Sequence, residues 1–215
     1  MKNLDFFKND IKKCSRCGLC QAVCPVYKAT KNDCTSPRGK FILINEMFKN
    51  NLKPSDKLKN YMKMCINCKK CVDYCPSKIN TPKINEAFFK DYNYFKFNFW
   101  GILIFIKFIL NVFENILIKK KLPVLTSKIV YLAHYEENNI PKNLNEYEYK
   151  IVNCGIPLRF AFLYPDLYKK MSKIFAQEVL ENKPDIVITK NLLCKTQLQT
   201  GLKLLNSKIK IHYIK

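Results

Sequence analysis

One cysteine spacing occurs twice in this chain and restricts what it can fold into more than any other feature. Cys14-x-x-Cys17-x-x-Cys20-x-x-x-Cys24-Pro25 returns as Cys65-x-x-Cys68-x-x-Cys71-x-x-x-Cys75-Pro76. Every cysteine and the trailing proline keep their places, 51 residues on. Nine of the 11 cysteines fall in residues 1–96; Cys154 and Cys194 follow later. An odd total excludes a fully paired disulfide set within one chain. Met1–Lys13 is charged throughout and lacks the apolar core of a signal peptide. The expectation is therefore a cytoplasmic chain whose thiols are reactive, catalytic or metal-bound.

The spacing selects among those fates. Three cysteines at intervals of three residues wrap one corner of a cubane, and each thiolate reaches a different iron. The fourth lies beyond reach of that cube, and the proline after it forces the chain to turn. In two-cluster proteins this fourth thiolate ligates the other cluster. The expected ligands are thus Cys14, Cys17, Cys20 and Cys75 for one [4Fe-4S] cluster, and Cys65, Cys68, Cys71 and Cys24 for a second. Structural zinc prefers paired C-x-x-C knuckles and has no use for the third interval. Cys34 lies outside both runs and reads as a spare thiol.

The rest of the sequence falls into zones. Residues 1–96 carry the two runs, with helix signals between and after them. Ser36-Pro37 pairs an N-cap with a proline at the first helical position, and Phe41, Ile44 and Phe48 fall on one face. Ser55 caps a helix with Leu58, Tyr61 and Met62, and Thr81-Pro82 opens one with Ile84, Ala87 and Phe88. Residues 123–215 alternate strand and helix. Strands are expected at Lys128–Ala133, around Tyr147, Tyr149 and Ile151, at Ile186–Thr189 and at Ile209–Ile214. Helices are expected through Leu167, Met171, Ile174, Phe175 and Val179, and over residues 191–205. The fold class is α+β: an all-α N-terminal domain, then a small α/β domain with a parallel or mixed sheet. His134 and His212 flank strands and read as structural.

Residues 97–122 form an apolar connection. Phe97–Ile118 is about long enough as a helix to cross a bilayer. Lys107, Asn111, Glu114 and Asn115 would make one polar stripe along it, with Lys107 near the bilayer centre. Three readings stand: a helix packed on protein, a helix lying in a membrane interface beside Lys119–Lys121, or a span.

The formal charge of +21 suggests nucleic acid at first sight. Arg16, Arg38 and Arg159 are the only arginines among 38 Lys+Arg. Lysine is the poorer reader of base edges, and bound anionic cofactors offset part of the charge. No nucleic-acid partner is expected.

The gap between the runs is long for a minimal ferredoxin and is filled by helices, which resembles the α-helical ferredoxin module of iron–sulfur subunits in respiratory flavoenzymes. Thr35-Ser36-Pro37-Arg38-Gly39-Lys40 resembles a Ser-Pro-Arg-Gly-Arg element, and Cys75-Pro76-Ser77-Lys78-Ile79 fits the same pattern. Over residues 10–90 the chain is similar to the iron–sulfur subunits of the glycolate or lactate oxidase family. Relatives of that family serve anaerobic glycerol-3-phosphate dehydrogenase and heterodisulfide reductase. The resemblance implies electron transfer from a flavin-containing dehydrogenase or oxidase subunit, which oxidises a 2-hydroxy acid, toward quinone or another carrier. It admits a peripheral place on the inner face of the membrane. Family members continue into cysteine-rich domains with Cys-Cys-Gly elements. Here Asn153-Cys154-Gly155-Ile156-Pro157 has Asn for the first cysteine, and Asn191 and Gln197 flank Cys194 at three-residue spacing. The expectation is a degenerate cysteine-rich domain, 123–215, without a third cluster. No glycine-rich dinucleotide fingerprint occurs, so the flavin belongs to a partner and the chain does not catalyse alone. The alternatives are a subunit of the heterodisulfide reductase or glycerol-3-phosphate dehydrogenase type, or an iron–sulfur redox sensor.

Overall fold

The computed structural model describes residues 2–92, 129–134 and 149–213. The apolar stretch Phe97–Ile118, Lys119–Lys121, and the expected strand residues Lys128 and Tyr147 lie outside the described residues, as do the side chains of His134 and Cys154. The chain divides into two units, Met1–Lys96 and Phe97–Lys215.

The first unit is helical. Its elements are α1 (Lys2–Asp5), α2 (Lys8–Lys12), α3 (Leu19–Ala22), α4 (Pro25–Thr30), a 3-10 turn (Asp33–Thr35), α5 (Pro37–Phe48), α6 (Asp56–Lys63), α7 (Lys70–Asp73) and α8 (Thr81–Asp91). The two longest helices and α6 start where side chains can take up orphan amides. Ser36 Oγ accepts the Gly39 N–H at 3.0 Å and Ser55 Oγ the Leu58 N–H at 3.2 Å. At α8 the cap is Asn80, whose side chain accepts the Lys83 N–H at 3.2 Å. Thr81 is thereby the first helical residue, and its hydroxyl is released for another role. Phe41, Ile44, Met47, Leu58, Met62, Ile84, Ala87 and Phe88 pack into one core with Leu4, Ile11 and Ile79. Cys14 and Cys75 lie against that core, so apolar packing and the cysteine loops are continuous.

The chain start is fastened to the end of α8. Asp91 accepts N–H bonds from Asn3 (3.0 Å) and Leu4 (2.8 Å) and one from the Asn3 side chain (2.8 Å). A carboxylate supplied from 88 residues away thus caps α1, a helix too short to hold itself.

The second unit has a four-stranded, wholly parallel sheet in the order β2-β1-β3-β4: β1 (Ile129–His134), β2 (Tyr149–Cys154), β3 (Ile186–Thr189) and β4 (Lys210–Tyr213). Helices α9 (Leu158–Leu163) and α10 (Pro165–Leu180) lead from β2 to β3, and α11 (Leu192–Leu204) from β3 to β4. Side chains alternate across β1. Val130 and Leu132 pack with Val187, Phe175, Val179 and Leu198, while Ile129, Tyr131 and Ala133 pack with Ile188 on the opposite face. Both faces of the central strands are buried, as parallel sheets require. The fold is therefore α+β, with a helical first unit and an α/β second one. The helix α9 has no counterpart in the sequence-based reading. Its N-cap Pro157 offers no side-chain acceptor.

Candidate metal centre

The repeat in sequence is a repeat in backbone conformation. Arg16 and Asn67 hold equivalent places and have φ of 59° and 58°. Gly18 and Lys69 are likewise equivalent, with φ of 85° and 59°. Each run then enters a four-residue helix, α3 and α7, at the same offset. Left-handed residues at these places curl the loop so that successive amides face one side, a concave shape that suits anions. Glycine takes such a φ without strain, so Lys69 holds its conformation against an unfavourable Cβ contact.

Two cavities lie beside these loops. The first, about 400 Å³ with its open mouth, is lined by Cys14, Cys17, Cys20 and Cys75, with Arg16, Gly18, Arg38, Phe41 and Thr81. The second, about 390 Å³, is lined by Cys24, Cys65 and Cys68, with Val26, Lys40, Met64 and Ile66. Cys71 and Thr81 line both. Electrostatics sorts the thiols the same way. Cys20 senses Cys14, Cys75 and Cys17, whereas Cys71 senses Cys65, Cys68 and Cys24. The fourth cysteine of each run therefore stands with the first three of the other. Cys34 sits in the 3-10 turn, lines neither cavity, and is a free thiol.

Burial makes these thiols poor acids without a cation. Cys20 and Cys68 are pushed up to about 11 and Cys71 to about 12, each chiefly by loss of water. Cys24 is raised for the same reason. Hydrogen bonds pull the other way: the Arg38 amide on Cys20, the Tyr27 and Val26 amides on Cys24, the Lys70 amide on Cys68 and the Thr81 hydroxyl on Cys71. Sulfurs that are desolvated yet met by donors are prepared to be thiolates once a metal supplies positive charge, and they lose their protons as it binds. Among the described residues no three His, Cys, Asp or Glu side chains converge on a position for one ion. A cubane distributes its four thiolates over four irons. The donor set, five thiols around the first cavity and four around the second with Cys71 common to both, fits such a group.

Helix α5 abuts both cavities through a tight corner. A Cβ on Gly39 would penetrate the carbonyl of Asp33, so only glycine permits the 3-10 turn to approach. That carbonyl accepts the Ser36 hydroxyl at 2.7 Å, and Gln21 donates to the Asp33 carboxylate. Arg38 stands 4.0 Å from the same carboxylate. Lys40, two residues on, is 3% exposed, and its Nζ donates to the carbonyls of Met62 (3.4 Å) and Met64 (3.2 Å). Neither Lys40 nor Thr81 was assigned a role at the site from sequence. Thr81 reads from sequence only as a helix start, and Lys40 only as the last residue of the Thr35–Lys40 element, four residues after a cap.

Residues 10–79 match the family described as the 4Fe-4S dicluster domain, the class of protein to which these two cavities point. Over the same N-terminal part the chain is similar to two iron–sulfur subunits. It is 30% identical to the glycolate oxidase iron-sulfur subunit of Escherichia coli (strain K12) over 69 residues, 32% of this chain and 17% of that protein. It is 26% identical to the probable glycolate oxidase iron-sulfur subunit of Bacillus subtilis (strain 168) over 80 residues, 37% of this chain and 18% of that protein. The matched stretch thus spans under a fifth of either relative. No solved structure matches the chain.

The second unit offers a different use of cysteine. Cys194 is fully buried in α11 and disulfide-bonded. Its neighbours at three-residue spacing have structural tasks. Asn191 caps α11 by accepting the Leu193 N–H at 2.9 Å, and Gln197 accepts the Ile156 N–H at 3.2 Å. Among the described residues no helix is long and apolar enough to cross a membrane.

Proposed function

We propose that the chain is an iron–sulfur electron-transfer subunit with two [4Fe-4S] clusters. Cys14, Cys17, Cys20 and Cys75 would hold one, and Cys24, Cys65, Cys68 and Cys71 the other. The electron donor is a flavin-bearing subunit that oxidises a 2-hydroxy acid such as glycolate or lactate, and the acceptor is quinone or another carrier. The observation that supports this reading best is the common wall: Cys71 and Thr81 border both cavities, so two groups held there lie within short electron-transfer range. When bound, such clusters supply one-electron exchange. The chain's own residues exclude water, donate hydrogen bonds to sulfur and fix the distance between sites. The second unit would offer the surface for the partner, and the apolar sequence of 97–122 would suit contact with the partner or a membrane face.

The test is anaerobic purification followed by iron analysis and substrate-driven bleaching. About eight irons per chain are expected. Glycolate or lactate alone should leave the visible spectrum unchanged, and addition of a 2-hydroxy-acid flavoprotein should bleach it. About twelve irons, or bleaching by substrate without partner, would refute the division of labour.

A further inference from the structure

Four cations line the two cavities: Arg16 and Arg38 at the first, Lys40 and Lys69 at the second. They differ in how much of their charge is felt. Arg16 and Lys69 are exposed, so water and salt screen them. Arg38 is 29% exposed and faces the Asp33 carboxylate, which offsets it. Lys40 alone of the four is buried. Its charge acts through protein, where the effective dielectric is low. The carbonyls of Met62 and Met64 hold its ammonium in place, just before Cys65 begins the second run. Cys24, which lines the same cavity, lies within its electrostatic range.

Resting on the ligand grouping proposed above, we infer that Lys40 is a positioning residue that sets the two clusters at different potentials. Its buried ammonium favours the more negative, reduced state of the cluster held by Cys24, Cys65, Cys68 and Cys71. Among the described residues that line the first cavity, no cation is equally buried. With both clusters bound, the second would therefore be the better electron acceptor of the pair. The Met62 and Met64 carbonyls accept from the ammonium, and a cluster with four thiolates, which carries net negative charge, would be its counter-ion, so the burial of this lysine is compensated.

The experiment is a potentiometric titration of the anaerobically purified full chain, followed by visible and electron-paramagnetic resonance spectra, for wild type, Lys40→Gln and Lys40→Arg. Glutamine keeps a donor for the Met62 and Met64 carbonyls and removes the charge; arginine keeps the charge. Iron content checks the cluster count independently. With wild-type iron content, Lys40→Gln should move one of the two reduction waves to lower potential, with the reduced-to-oxidised ratio of that cluster falling about tenfold at fixed ambient potential. The other wave should stay, and Lys40→Arg should restore the first. Two unmoved waves, or two waves moved equally, would overturn the inference while leaving the eight-iron reading intact. If Lys40→Gln loses its second cluster, Lys40→Arg decides. Full iron with wild-type waves supports the charge, and loss of the cluster there too rejects it in favour of a purely steric role.

Discussion

The two units solve the stability problem in opposite ways. The second has a parallel sheet buried on both faces, with a 16-residue and a 13-residue helix on it. Its apolar contacts close without any ligand. The first relies on α1, α2, α3, α4 and α7, of four to six residues each, lengths at which a helix has no stability of its own. What joins them is a core that ends at Cys14 and Cys75, a carboxylate brought from α8 and two cavities walled by thiols. Where the polypeptide makes few helix turns, metal ligation has to contribute folding energy directly. The lesson is that the eight cysteines of the two runs wall cavities that the first unit leaves open, whereas Cys194 is buried in a closed apolar core and tied off in a disulfide.

The largest expected effect separates the units outright. Removal of iron by a chelator, or Cys68→Ala, should loosen the first unit and leave the second folded. Hydrogen exchange read by region should show fast exchange over α3, α4 and α7 with β1 and β3 still protected. Cys68→Ala should lose one cluster and weaken the other, and an unchanged spectrum at about eight irons would reject the ligand assignment. Equal protection of both units in iron-free protein would erase the contrast drawn here.

The converse change comes next. Leu198 is fully buried between α11 and the sheet. Leu198→Ala should destabilise the second unit by about 2–5 kcal/mol while iron content and the visible spectrum stay at wild-type values. Denaturant unfolding monitored alongside iron release should then show two separated transitions. A parallel loss of iron would mean that the units depend on each other.

The smallest effect tests the fastening of the chain start. Burial is the largest single influence on the Asp91 carboxyl and raises it, but the Asn3 and Leu4 N–H donors together outweigh it and hold the group below the usual carboxylate range. Its contribution is present above the unfolded value and is lost as pH falls through the folded one, so the clamp weakens below about pH 4. Asp91→Asn should cost about 1 kcal/mol, as loss of a helix cap does. It should also flatten the first unit's acid sensitivity below that pH. An unaltered pH profile in thermal melts would show that α1 is held by Leu4 alone.

Much of this molecule was legible because its signals are local. Ser36 and Ser55 act through residues three positions away, and the expected strands of the second unit correspond to β1 to β4 within the described residues. The grouping proposed for the eight thiols starts from spacing, since the fourth cysteine of a run lies beyond reach of its own three, and the cavity linings support it. The rest depends on distance in sequence. The Asp91 clamp bridges 88 residues and looks like any helix-terminal acid. Lys40 contacts carbonyls 22 and 24 residues later, and a lysine-rich composition hides one buried amine among many solvated ones. The capping role fell to Asn80 because its side chain reaches Lys83 N, a choice that Asn-Thr-Pro leaves ambiguous.

The wall shared by Cys71 and Thr81 has a consequence for how the chain matures in a cell. A group in the second cavity would hold Cys71 as a ligand and one in the first would adjoin it, and Cys71 lies in α7, directly after the loop of the second run. Loading one site therefore shapes the other before its own iron arrives. Under iron scarcity the population should consist of empty and full chains with few half-filled ones. Scarce metal would then go into finished conduits, and a chain without a complete pair would stay loosely folded and open to proteolysis.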